Sequence, residues 1–491
     1  MAELQFQNSS FVSKKFITKT QTTQTIRLSV KNDVVNVLSV DVDSAINSYD
    51  CTVGEVSFYG KINVRFLYYD GTSAVGSGYN ADFTSSVQSE QIDCNSRLVF
   101  NVTTLDVQTE TNANTATITV LSEISVYAYT TQEVNYLSGG EGAYLLTETL
   151  PALTMADVVN LPLSVSEELQ TTSTISTVLL AESSVCLSDY DWQEGVLTVN
   201  GNAVLRLTYL SDGNLVTDDL PFTFQREVDA GVILPNSQLY VYPTVRSVKV
   251  RLSIADDLPN TVFSADIAVN LRVESFKTED FTAVTDAYGK YCDFVFHKKS
   301  VQTTLPRGVL TASDSVEFQL PAGVTPSAVV NAYAVATDCS FVGEQAVVSG
   351  YVTATLLSTQ DGTVTSSPVE IPFTSRLEVD FPTDGCTAQV NATLCNVAMG
   401  SDAHGSKLTA TYRLDVLASN TATYDLIVQA EEVPFDKSTQ PAVEVCLAKK
   451  GETLWQLAKN LHMSQEELVA VNPEVTSPLE RDARIVVFNK L

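Results

Sequence analysis

Basic residues are scarce in this chain. Across 491 residues, 29 Lys+Arg face 58 Asp+Glu, a formal net charge of −29. So acidic a surface repels phosphate backbones and anionic headgroups, which argues against nucleic acid and direct membrane insertion. Long apolar runs are also missing. None approaches the roughly 20 residues that span a bilayer, and the opening MAELQFQNSSFVSKKFITKT lacks the uninterrupted apolar stretch of a signal peptide. The expectation is a cytoplasmic protein. Cysteine is thinly spread, at Cys51, Cys94, Cys186, Cys292, Cys339, Cys386, Cys395 and Cys446, with no C-x-x-C pair. That is how a reduced, intracellular protein uses cysteine, as a small hydrophobe.

Signatures of chemistry are lacking as well. The chain has no G-x-S-x-G elbow, no H-E-x-x-H and no phosphate loop. His297, His404 and His462 are too far apart to suggest a ligand pair. The acidic pairs Asp41/Asp43 and Asp189/Asp191 lack the Gly and terminal Glu of a calcium loop. Cys395 and His404 are near in sequence, but a nucleophile–base pair needs a geometry that sequence does not show. The expectation is no enzyme, no metal and no cofactor.

What is present is material for buried cores: 44% hydrophobic residues against 18% charged. Their pattern repeats. GKINVRFLYYDG (60–71), GNAVLRLTYLSDG (201–213) and GYVTATLLSTQDG (350–362) each open with Gly, alternate apolar and polar residues, and end in Asp-Gly. The alternation marks half-buried strands and Asp-Gly marks tight turns. Gly60, Gly201 and Gly350 are spaced by 141 and 149 residues (201 − 60 and 350 − 201). The Phe-Thr pairs at Phe83, Phe222 and Phe373 give 139 and 151 (222 − 83 and 373 − 222). The expected fold class is therefore mainly β, with three tandem diverged sandwich- or barrel-like domains over 1–165, 166–305 and 306–435. The glycines are expected at a bulge or a close backbone approach.

Residues 441–491 differ. They carry six Lys/Arg against seven Asp/Glu, leaving 23 basic and 51 acidic residues before them. In KKGETLWQLAKN (449–460), Thr453 and Gln456 form a T-x-x-Q capping box; Ser464 and Glu467 form a second, S-x-x-E. Asn472-Pro473 stops the second helix. With VEVCLA before and RIVVF after, the order is βααβ.

The run Lys449-Lys450-Gly451-Glu452-Thr453-Leu454-Trp455, with Asn472-Pro473 downstream, resembles a LysM domain, the small glycan-binding fold. The resemblance implies a groove between Gly451, Glu452, Thr453 and Leu454 on one side and a loop running from Asn472 through Val475, Thr476 and Ser477 to Arg481 on the other. Two positions depart from the family: Val445-Cys446-Leu447 replaces Tyr-x-Val, and Arg481-Asp482-Ala483 replaces Pro-Gly-Gln. The groove could then take a glycan containing N-acetylglucosamine, as in peptidoglycan or chitin, or a protein. Trp455 is expected in the core.

Three β copies ahead of one LysM also resemble the SPOCS-plus-LysM proteins of endospore-forming bacteria, through the Gly-initiated strand, the Pro-Phe pair and Asp286-Ala287-Tyr288. That resemblance implies a non-enzymatic scaffold of the spore coat, made in the mother cell and held at the forespore surface. Its LysM would dock on the basement-layer morphogenetic ATPase of the coat, and its β domains could self-associate.

Overall fold

The computed structural model describes residues 3–233, 235–253, 261–321, 326–360, 363–402, 405–436 and 441–488. Eighteen strands fall into three sets of six. The first set is β1 (Glu3–Ser29), β2 (Asn36–Thr52), β3 (Glu55–Tyr69), β4 (Ala74–Gln88), β5 (Arg97–Asn112) and β6 (Thr115–Glu141). The second is β7 (Tyr144–Gln170), β8 (Thr177–Gln193), β9 (Val196–Ser211), β10 (Asn214–Asp229), β11 (Gln238–Leu252) and β12 (Val262–Tyr288). The third is β13 (Cys292–Gln319), β14 (Ala328–Val342), β15 (Gln345–Gln360), β16 (Thr363–Glu378), β17 (Cys386–Asp402) and β18 (Gly405–Pro434). Within each set the first, sixth and fifth strands form one antiparallel sheet, and the second, third and fourth another. Strand pairing thus groups residues 3–141, 144–288 and 292–434, and the domain limits set at 165/166 and 305/306 fall inside β7 and β13.

Period-two burial explains each unit. In β6 every second residue from Ala116 to Ala128 turns inward, and with Ile26, Val64, Phe66 and Phe83 these close the first core. Equivalent cores lie in the second and third units. A two-residue hairpin joins β9 to β10: Asp212 and Gly213 sit at φ 49° and 80° between Ser211 and Asn214, the left-handed pair that Asp-Gly adopts readily. The first Asp-Gly instead opens a longer loop between Tyr69 and Ala74, in which Gly71 is left-handed (φ 94°). The third Asp-Gly, at 361–362, lies outside the described residues.

The glycines mark close approaches. A Cβ on Gly60 would lie 2.3 Å from the Phe83 ring, on Gly201 2.6 Å from Phe224, and on Gly350 2.6 Å from Phe373. In the second unit, therefore, Phe224 and not Phe222 is the equivalent phenylalanine. It is the residue paired with Gly201 in the ladder, and its spacing becomes 141 and 149 (224 − 83 and 373 − 224), equal to that of the glycines.

The long strands run past the short sheets, and their projecting halves pack together. Phe11, Ala152 and Val301, at those same offsets, meet in one apolar cluster with Tyr136, Ala283 and Leu426. A second junction joins Leu38, Leu67, Leu179, Leu180, Val330 and Leu357 of the three short sheets. The units are therefore arranged about an approximate three-fold axis and form one body.

A polar knot lies off the axis. The Glu274 carboxylate, with no exposed surface, accepts from Lys14 Nζ (3.2 Å) and Tyr129 OH (2.9 Å) at one oxygen. At the other it accepts from Arg272 Nη2 (3.1 Å) and Gln389 Nε2 (2.9 Å). Burial alone would raise its pKa, but the Lys14 and Arg272 charges and these hydrogen bonds outweigh it and hold the carboxyl below its usual range.

The expectation of unpaired cysteines is corrected at one place: Cys186 of β8 and Cys395 of β17 form a disulfide between the second and third units. Their separation of 209 residues hides the pair from any local spacing rule. Cys395 is thereby unavailable as a nucleophile, and His404 lies outside the described residues.

Candidate glycan-binding groove and its seat on the body

The terminal module is built as its caps dictate. Strand β19 (Val443–Ala448) pairs with β20 (Ala483–Phe488), and between them lie helices α1 (Leu454–Asn460) and α2 (Gln465–Val471). Both capping boxes form: Thr453 accepts from the Gln456 amide and Ser464 from the Glu467 amide, with the Gln and Glu side chains returning to the cap backbone. Leu457, Ala458, Leu461 and Leu468 bury one helical face against Ile485 and Val487.

The two candidate loops are laced together. The Gly451 amide donates to Leu479 O, the Leu479 amide to Glu452 O (both 2.9 Å), and the Leu454 amide to Ser477 Oγ (3.1 Å). The Glu452 carboxylate accepts from the Lys449 amide. Gly451, Thr476, Ser477 and Arg481 are exposed, while Glu452, Thr453, Leu454 and Val475 are half-buried. Gly451 sits at φ 91°, where a side chain would be strained. Asn472 is different. It is buried, donates to Leu468 O and Val486 O, and accepts from the Val486 amide. That side chain staples α2 to β20, so it is spent on the fold.

The module does not hang free. Trp455 is half-buried, and the surface covering it is the second β unit. Its indole N–H donates to Asp286 Oδ2 (2.8 Å), and its ring meets Tyr288 edge-on at 5.0 Å. Lys459 Nζ pairs with the other Asp286 oxygen at 2.6 Å. Tyr288 OH, its pKa raised by burial and by neighbouring Tyr144 and Asp286, donates to Met463 O. His462 is buried, with Nδ1 3.1 Å from Gly289 O and its ring stacked at 3.8 Å on Phe435. Asp286-Ala287-Tyr288, read above only as a family run, is therefore the seat of the module.

Sequence reasoning missed this seat because a contact across 169 residues leaves no periodic trace. The one available signal was the aromatic and acidic density at the end of β12. Among the described residues no group of three or more metal-ligating side chains gathers, and no helix is long and apolar enough to cross a membrane.

Comparison with known proteins adds one finding. No curated protein and no solved structure matches the chain. The family model of the LysM domain matches residues 448–485, so the chain carries a LysM domain on the tip of a three-unit β body.

Proposed function

We propose that the chain is a non-enzymatic glycan-binding protein whose LysM groove takes polymers containing N-acetylglucosamine, such as peptidoglycan. One observation carries this reading. The module spends Trp455, Lys459, His462 and Met463 on the body, while the rim at Gly451, Thr476, Ser477 and Arg481 faces solvent. The Cys186–Cys395 disulfide supports a place in the oxidising cell envelope. Titration of the full chain with chitotetraose, followed by NMR, tests the reading. Shifts clustered at 451–454 and 475–481 are expected; unchanged resonances at millimolar sugar would sink it.

A second reading is a spore-coat scaffold in the mother-cell cytoplasm, its LysM docked on a coat morphogenetic protein. The observation in its favour is the outer face of the β19–β20 pair, where Val443, Val445, Leu447 and Phe488 are all more than half exposed. Substituting Val445 and Leu447 with Ser should then abolish capture of the chain by that coat protein and leave chitotetraose unaffected.

A further inference from the structure

The three seams between units are finished differently. In β5, β11 and β17 one β-bulge recurs at Leu105, Arg246 and Cys395, again offset by 141 and 149 residues (246 − 105 and 395 − 246). A bulge leaves its extra residue out of the ladder and re-aims the side chain. At the seam of units two and three that residue is Cys395, and the disulfide closes the gap. At the seam of units one and two it is Arg246, and the gap is open, a cavity of about 1120 Å³ between β2 and β5 on one side and β7, β11 and β12 on the other, with Gln389, Val390 and Asn391 of β17 reaching its edge.

The lining has unspent hydrogen-bonding capacity. Asp43 Oδ2 and Ser44 Oγ are buried without a partner, although an unmet buried polar atom is costly to a fold. Arg246 lines the same cavity as Asp43, on whose carboxyl its charge acts, and its side chain enters no ion pair among the described residues. Asn270 Nδ2 donates to Asn160 Oδ1 at 2.9 Å, which leaves one amide with a carbonyl to offer and the other with an N–H. Arg272 lies over the Tyr242 ring at 5.5 Å and forms the floor.

We propose that this seam is a second saccharide site, for a neutral N-acetylated oligosaccharide. Each sugar hydroxyl both donates and accepts, so it needs carboxylate, guanidinium and amide groups side by side; Asp43, Arg246, Asn160 and Asn270 supply them. The acetamido group matches the unspent halves of the two asparagines. The wall charges are largely matched already, Arg97 by Asp157 at 2.8 Å, Arg272 by Glu274 at 3.1 Å and Arg246 by its neighbour Asp43. In a body with 51 acidic against 23 basic residues, that leaves little to hold a polyanion. The volume exceeds that of an ordinary small-molecule pocket and holds several rings. The choice of sugar rests on the glycan reading of the LysM; the site itself does not.

Calorimetric titration of the full chain with chitotetraose is the test. Two sites per chain are expected. Arg246→Ala should remove one, and Asn160→Ala, at an exposed position, should weaken that one by about tenfold with an unchanged melting temperature. A single site indifferent to both substitutions overturns the seam and keeps the LysM reading. A single site lost in Arg246→Ala supports the seam and overturns the LysM reading. Absence of any binding overturns both.

Discussion

A glycine beneath a phenylalanine recurs in every unit because the space above the backbone is already filled. In Gly201→Ala the new methyl would meet Phe224 Cζ at 2.6 Å and Cys186 O at 2.8 Å. Overpacking of this kind costs about 1–3 kcal/mol, and equilibrium denaturation should register it. Glu274 is a second residue on which the body depends. Its carboxyl is held below the usual range, so its contribution is complete above the unfolded pKa of about 4.3. It is lost as pH falls through the lower folded value. Glu274→Gln leaves the half-buried Lys14 and Arg272 beside a neutral group, at a cost of up to about 3 kcal/mol near neutrality. The difference from the parent protein should shrink below about pH 4 in denaturation curves run against pH. At this scale the helix caps were legible, since Thr453 and Ser464 satisfy amides three residues away. Phe224 was not, because Phe222 lies two residues earlier on the same face and only pairing with Gly201 distinguishes them.

Among the elements, β12 has two duties. It is the central strand of its sheet, between β7 and β11, and its last residues receive the LysM domain. Asp286→Ala removes partners from both Trp455 and Lys459, bonds worth about 1–3 kcal/mol together with the charge. The expected outcome is faster amide hydrogen exchange at 286–289 and across α1, with the melting of the β body unchanged. Unaltered exchange would mean that the contacts of Tyr288 and His462 suffice to hold the module. Period-two patterning made the strands legible as strands. Their lengths were not, because Glu3–Ser29 and Thr115–Glu141 continue as single strands although bulges at Gln5/Phe6 and Phe16/Thr18 and two-sided burial at Phe11–Ser13 break the period where they pass from a unit's own core to the shared axis. The domain limits placed inside β7 and β13 follow from that continuity. The βααβ order of the module, by contrast, was carried by local caps and a chain-stopping Asn-Pro.

For the whole molecule, repetition was readable and assembly was not: the seam positions recur at the repeat offsets, but the period does not say which copies meet there or through which side chains. The disulfide is the sharpest case. Replacing Cys186 with Ala, or adding reductant, should lower the denaturation free energy by about 2–5 kcal/mol, and unreduced peptide maps should contain the Cys186–Cys395 pair. The position of the LysM domain also has a mechanical meaning. Its connection leaves the body at the end of β18, a strand laddered to β13 on one side and β17 on the other, and it rests against the end of β12 as well. A pull on the module along these strands loads a long ladder in shear, where the bonds must fail together. A pull across them would open the bonds one by one. Fixed to a surface through its C-terminal tip, the protein would resist traction most strongly along its own length.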